Sequence, residues 1–108
     1  MIYELRTYRI PAGRMPDILA RFETVTMRLF ARYRMEVVGF WTDARPEEEH
    51  TLVYLMRFTD EQTQEAAWTA FRADPEWQET RRRTEANGAI VDAVISRNLV
   101  PVPFSPLQ

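Results

Sequence analysis

The chain has 108 residues, 45% hydrophobic and 28% charged, with a formal net charge of −2. This is the composition of one soluble domain with its own hydrophobic core, and its slight acidity argues against general affinity for nucleic acid or an anionic membrane. All fourteen basic residues are Arg, no Cys is present, and His50 is the one histidine, which excludes thiolate and Schiff-base chemistry, disulfides and a multi-histidine metal site within one chain.

The first strand, Ile2 to Ile10, alternates two sets of side chains. Tyr3, Leu5 and Thr7 form one set, expected under helices. Glu4, Arg6 and Tyr8 form the other, an acid, a guanidinium and a phenol spaced about 7 Å apart on the opposite face. Pro11-Ala12-Gly13 makes a turn. Pro16 and Asp17 then open a helix expected to run to about Arg34, with Ile18, Phe22, Val25 and Leu29 on its inner stripe. Arg21, Arg28 and Arg32 flank that stripe. We read them as a solvated edge, the alternative being a docking edge for an acidic partner or a second subunit.

Val37 to Thr42 is a short β-rich run in which Gly39 signals a bulge or the close approach of another backbone. An acidic loop through Glu47, Glu48 and Glu49 is read as a solvated hairpin with no compact calcium spacing. Thr51 to Phe58 is apolar on both faces up to Arg57, the pattern of a central strand. Thr59 and Gln62 read as a capping box. The helix that follows carries Ala67, Trp68 and Phe71 inward and stops near Asp74-Pro75. A further helical stretch begins at Pro75, anchored by Trp77 and capped by Asn87-Gly88. Its Arg81-Arg82-Arg83 run is read as solvated, the alternative being one Arg turned into a pocket. Ala89 to Leu99 forms the last strand, and the proline-rich tail from residue 100 to 108 is expected to be extended, with Phe104 available to dock on a neighbour.

The order βαββα(α)β is that of an α+β, ferredoxin-like fold with a four-stranded antiparallel sheet and both helices on one face. A single domain over residues 1–108 is expected. The other sheet face is too apolar to remain wet, so we expect a second copy to cover it in a symmetric homodimer. No apolar run nears the ~20 residues that cross a bilayer, and no secretory leader is expected, since the chain enters its first strand directly. A cytoplasmic protein without membrane or nucleic-acid partners is expected.

Four motifs also carry a resemblance: Tyr3-Glu4-Leu5-Arg6-Thr7-Tyr8, Pro11-Ala12-Gly13-Arg14-Met15, Val38-Gly39-Phe40-Trp41 and Asp74-Pro75-Glu76-Trp77. In that order and spacing the chain resembles the NIPSNAP family. The resemblance implies a dimeric α+β barrel whose two sheets close around a cavity. It implies little about activity, since the wider superfamily includes cofactor-free monooxygenases, haem-degrading enzymes, cyclases and isomerases. One departure stands out: strand three of the family commonly reads Val-Val-His-Leu-Trp, and here Tyr54 and Met56 stand at its His and Trp positions.

With strands one and three adjacent, Tyr54 and Met56 are expected beside Arg6 and Tyr8, with Trp41 one strand further out. The candidate ligand-binding residues are therefore Glu4, Arg6, Trp41, Tyr54 and Met56, and the candidate catalytic ones Arg6, Tyr8 and Tyr54. Arg6 would hold a carboxylate, phenolate or enolate, a tyrosine would donate to a developing oxyanion, and Glu4 would serve as base if burial raised its pKa. The alternative is a satisfied Glu4–Arg6 pair at a dimer interface, with no ligand. Trp68 and Trp77 are read as core anchors and His50 as exposed. No metal and no cofactor are expected. Three functions stay open: a cofactor-independent enzyme on a small aromatic or polyketide-like acid, a binding module for such an acid, and a dimeric scaffold.

Overall fold

A computed structural model describes residues 1–45, 47 and 50–108. The two best-patterned strands, β1 (Ile2–Arg9) and β3 (Thr51–Phe58), pair antiparallel at the centre of a four-stranded sheet. β2 (Glu36–Thr42) flanks β3 and β4 (Ala93–Leu99) flanks β1, giving the order β2-β3-β1-β4. All three pairings are antiparallel, so the ferredoxin-like α+β expectation holds.

One face of the sheet is covered by helices. α1 (Met15–Arg21) begins with a proline in its first turn and Asp17 at the positive end of its dipole. A π turn (Phe22–Thr26) interrupts it before α2 (Met27–Arg32). The helix thus ends two residues short of Arg34, which itself takes the left-handed conformation at φ 58°. α3 (Glu61–Ala73) and α4 (Pro75–Thr84) follow β3. The cap of α3 is Asp60 rather than Thr59: its extended backbone lets its carboxylate accept from the Thr63 N–H at 2.7 Å. α4 stops at Thr84, before the expected Asn87-Gly88 cap, and Gly88 supplies the left-handed turn beyond it.

Asp74 ties these helices together. Its carboxylate accepts from the Glu76 and Trp77 N–H groups, capping α4, and from Arg32 and Tyr33 at the end of α2. Arg28 and Arg32 also pair with Glu76. The edge expected to be solvated is therefore an internal staple for two of its three arginines. The third, Arg21, is buried.

The sheet faces are inverted relative to the reading of the first strand. Glu4, Arg6 and Tyr8 point toward the helices: Glu4 bonds Gln64 and Trp68 of α3, and Tyr8 packs on Phe22. Tyr3, Leu5 and Thr7 point to the open face with Val53, Leu55 and Arg57. The helix-side layer continues through Leu52, Tyr54 and Met56, all fully buried, and joins Ile18, Leu29, Phe30, Phe71 and Ile90 in one core. Each such large side chain contributes roughly 1.5–3 kcal/mol by leaving water.

The open face keeps Trp41, Ile95 and Val38 exposed. Gly39 does mark a bulge, with the register against β3 shifting between Val37 and Gly39. The close approach there is made by a ring rather than a backbone, since a Cβ at Gly39 would stand 2.9 Å from the Trp41 indole. The last strand begins at Ala93, four residues later than expected. The tail is not simply extended. It turns back so that Tyr3 donates to the Gln108 carbonyl at 2.6 Å, while Phe104 stays 87% exposed. The acidic hairpin expected around Glu47 involves Pro46, Glu48 and Glu49, which lie outside the described residues.

Candidate functional site

The polar row of β1 is buried, so each of its groups must find partners. Glu4 finds four. Its Oε1 accepts from Gln64 Nε2 at 2.8 Å and Trp68 Nε1 at 2.7 Å, and its Oε2 from Arg6 Nη1 at 2.8 Å and Ser96 Oγ at 2.6 Å. Burial works to raise the carboxyl pKa, but the bonds from Ser96, Arg6, Trp68 and Gln64 outweigh it and hold it below the usual glutamate range. The charged form of Glu4 is thereby favoured. The condition set for a base at this position, a pKa raised by burial, is not met, because the donors arrive with the burial.

Arg6 is held on every side by that arrangement. Besides Glu4, its Nε donates to Tyr54 Oη at 2.7 Å and its Nη2 leans on Tyr8 Oη at 3.4 Å. The guanidinium lies 4.3 Å from the centre of the Trp68 ring, a cation–π contact. Burial alone would lower its pKa, yet the two tyrosines and Glu4 raise it, so the charge is fixed.

Counting protons gives the tyrosines a direction. Tyr54 is fully buried and its hydroxyl meets only Arg6 and Tyr8 among the described residues. Arg6 can only donate, so the Tyr54 proton must go to Tyr8 Oη, 2.8 Å away. Tyr8 then accepts from Tyr54 and Arg6, and its own proton is left to point into open space. Burial, followed by the neighbouring Tyr8, pushes the Tyr54 pKa well above 10, so its proton stays in place.

The open space is a cavity of about 340 Å³ between sheet and helices. Arg6 and Tyr8 form part of its floor, and Phe22, Phe30, Trp68, Phe71 and Trp77 supply aromatic walls. The π turn forms one side, where Phe22 and Thr26 line the cavity beside Arg21. Four arginines and two acids line the space, so with Glu4 behind Arg6 the surroundings carry one net positive charge. Among the described residues no cluster of three or more histidines or acids could hold a metal ion, and no helix is long and apolar enough to cross a membrane.

The NIPSNAP family model matches residues 3–106. The chain belongs to the NIPSNAP family. An uncharacterised NIPSNAP domain protein from Burkholderia xenovorans is 28% identical over 98% of this chain and 99% of its own, with a TM-score of 0.82. A NIPSNAP family protein from Agrobacterium tumefaciens is 22% identical over 99% and 98%, with a TM-score of 0.85. The fold also extends to a putative antibiotic biosynthesis monooxygenase from Bordetella bronchiseptica, 18% identical over 94% and 96%, with a TM-score of 0.65. No functionally curated protein matches the chain.

In this NIPSNAP chain Tyr54 lies beside Arg6 as expected, whereas Met56 is one pair further along and the side of the sheet is the opposite one. Arg6 stands opposite Tyr54, and Glu4 opposite Met56. Tyr54 and Met56 are both buried behind the cavity floor. Trp41 lies on the other face, half exposed, away from Arg6. Its neighbour Phe40 takes the inner position and stacks on Tyr54 at 4.8 Å. Trp68 and Trp77 do more than anchor the core, since both line the cavity and Trp68 donates to Glu4. Arg81 turns toward the cavity, and His50 is exposed. Sequence reading missed Arg21 and Thr26, whose only local signal is the β-branched run Thr24-Val25-Thr26 that sits poorly in a regular helix.

Proposed function

We propose that this chain binds a small aromatic acid in the cavity between sheet and helices, with Tyr8 and Arg6 receiving an anionic oxygen. The observation that carries the reading is the pair of contacts at Tyr8 Oη, 2.8 Å from Tyr54 Oη and 3.4 Å from Arg6 Nη2: with Tyr54 and Arg6 donating, the Tyr8 O–H is left for a ligand. Aromatic walls and a net positive surround suit a planar anion, and the volume lies at the small end of small-molecule sites. Benzoate titrated against Trp fluorescence tests this, since Trp68 and Trp77 line the cavity. Benzoate is expected to bind, and Tyr8→Phe to weaken it about tenfold, the worth of one hydrogen bond to a charged group. Equal affinity in the variant would overturn the reading.

A second reading, catalysis without a cofactor, rests on the same chain of donors. In enolisation of an α-keto acid, the CH₂ next to the ketone yields a proton to water and the ketone oxygen takes up the electron pair. The Tyr8 O–H would hold that oxygen, with Tyr54 and Arg6 stabilising it from behind. Exchange of the α-hydrogens of phenylpyruvate in deuterated water, accelerated by the protein and lost in Tyr8→Phe, supports this role; exchange at the uncatalysed rate removes it.

The open face supports a homodimer. Trp41 and Ile95 are exposed on that face, large apolar side chains of the kind that mark an association surface. A second copy satisfies the face by twofold symmetry. Ile95→Glu is expected to convert a dimer to a monomer in sedimentation equilibrium, and a wild-type monomer at micromolar concentration would refute the assignment.

A further inference from the structure

Arg21 is the unusual group in the wall. Its side chain is only 6% exposed, at the last residue of α1 where the π turn begins. The guanidinium lies over the Trp77 ring at 4.9 Å. Among the described residues only Nη1 has partners, Thr84 Oγ1 at 3.2 Å and Glu85 Oε2 at 3.1 Å. Nε is buried without a partner. Arg6, by contrast, engages all three of its nitrogens.

The buried Nε has lost the water it would otherwise have bound and has gained no partner for it among the described residues. Glu85 compensates incompletely. It meets Arg21 end-on through one oxygen, whereas arginine and carboxylate pair best through two parallel bonds. The same Oε2 is shared with Arg81 Nε at 3.3 Å, and Glu85 sits just past the end of α4 with its side chain 26% exposed. It is a carboxylate on a short tether at the cavity rim. Thr26, Trp77 and Arg81 complete that end of the space.

We infer that Arg21 is a second anion anchor, so that the cavity takes an aromatic ligand with two acidic groups, one on Tyr8–Arg6 and one on Arg21 in place of Glu85. This rests on the binding reading above and extends it from an aromatic acid to an aromatic diacid. Glu85 occupies the second subsite in the empty protein, as an internal carboxylate that the ligand displaces toward Arg81. The exchange keeps the count of buried charges constant, which is why a desolvated Arg21 is tolerated before the ligand arrives.

The test compares benzoate with phthalate, isophthalate and terephthalate, using Trp fluorescence on the wild type, Glu85→Gln and Arg21→Met. At least one diacid is expected to bind about tenfold or more tighter than benzoate. In Arg21→Met the ratio of diacid to benzoate affinity falls to about one, and in Glu85→Gln it rises severalfold because the competing carboxylate has lost its charge. A ratio near one for all three diacids in the wild type would overturn the second anchor while leaving benzoate binding, and the first anchor, intact. A ratio unchanged or lowered by Glu85→Gln would overturn it too, and that variant retains the Arg21 side chain should Arg21→Met fold poorly. If benzoate and every diacid fail to bind, the binding reading and this extension fall together.

Discussion

Glu4→Gln is the sharpest probe of the buried row. Glutamine keeps the shape of the side chain and can leave an oxygen facing Gln64 and Trp68, in place of Oε1. Its NH₂ must then face Arg6 Nη1 and Ser96 Oγ, where Oε2 had accepted two bonds. Ser96 can rotate its hydroxyl to accept; Arg6 cannot accept, and it loses its counter-ion. Removing one partner of a buried ion pair costs about 3–5 kcal/mol. The Arg6 side chain is 16% exposed, which places the expected cost near the lower end, ~3 kcal/mol. With an unfolding entropy of about 2.1 cal/mol/K per residue, the 108-residue chain loses roughly 13 °C in Tm. Urea unfolding and calorimetry on wild type, Glu4→Gln, Arg6→Met and the double variant read it out. The double variant should fall short of the summed losses by at least about 1 kcal/mol, because it leaves no orphaned charge. The folded Glu4 pKa lies below its unfolded value near 4.5, so its stabilisation is present above that pH and lost as pH falls. The gap between wild type and Glu4→Gln should therefore narrow in acid. A cost under about 1 kcal/mol at neutral pH, or additive variants, would refute the idea that Glu4 exists to hold Arg6.

Tyr54→Phe removes the hydroxyl between Arg6 and Tyr8 and leaves Arg6 Nε without an acceptor; we expect a loss of about 1–3 kcal/mol in urea unfolding with the fold retained. Gly39→Ala places a Cβ against the Trp41 indole, an exposed ring that can swing away, so stability should drop by less than about 1 kcal/mol while Trp fluorescence shifts. Asp74 is held near pKa 2 by Tyr33 and then Arg32, against the opposing effect of burial. Glu76 is held near 2 by Arg28 and Arg32. Both values lie below the unfolded ones of 3.8 and 4.5, so their stabilisation is complete above about pH 5 and is lost as pH falls toward 2. The Tm difference between wild type and Asp74→Asn should close over that interval; a difference independent of pH would show that the carboxylate charge is not what staples α2 to α4.

What could be read from the chain divides along one physical line. Strand pairing is largely local: the order of strands put Tyr54 beside Arg6, as the register has it, although Met56, expected beside Arg6 and Tyr8, stands opposite Glu4 and Tyr8 stands opposite Leu52. The choice of side is not local. Alternation separates two sets of side chains without saying which one meets the helices, and the habit of turning charge outward gave the wrong answer. What turns Glu4 inward is donors 60 to 92 residues away, Gln64 and Trp68 on α3 and Ser96 on β4, which no pattern within β1 can announce. One clue was present. Arg57 shares a face with Val53 and Leu55, whereas Leu52, Tyr54, Met56 and Phe58 form an uninterrupted large apolar set, the one that belongs in a core. Arg21 was hidden for a related reason, since helical spacing puts it on a flank and the groups that enclose it, Trp77, Thr84 and Glu85, lie far along the chain on and just after α4. The Asp60 cap shows the same limit at small scale, two adjacent capping residues between which only backbone geometry decides. The inversion also joins two features that looked separate. With the charged row inside and the other row outside, the sheet gives the cavity a polar floor on one face and leaves exposed apolar side chains, Trp41 and Ile95, on the other. A substitution at Ile95 should therefore leave the Tyr8 site intact, and one at Tyr8 should leave the association state intact.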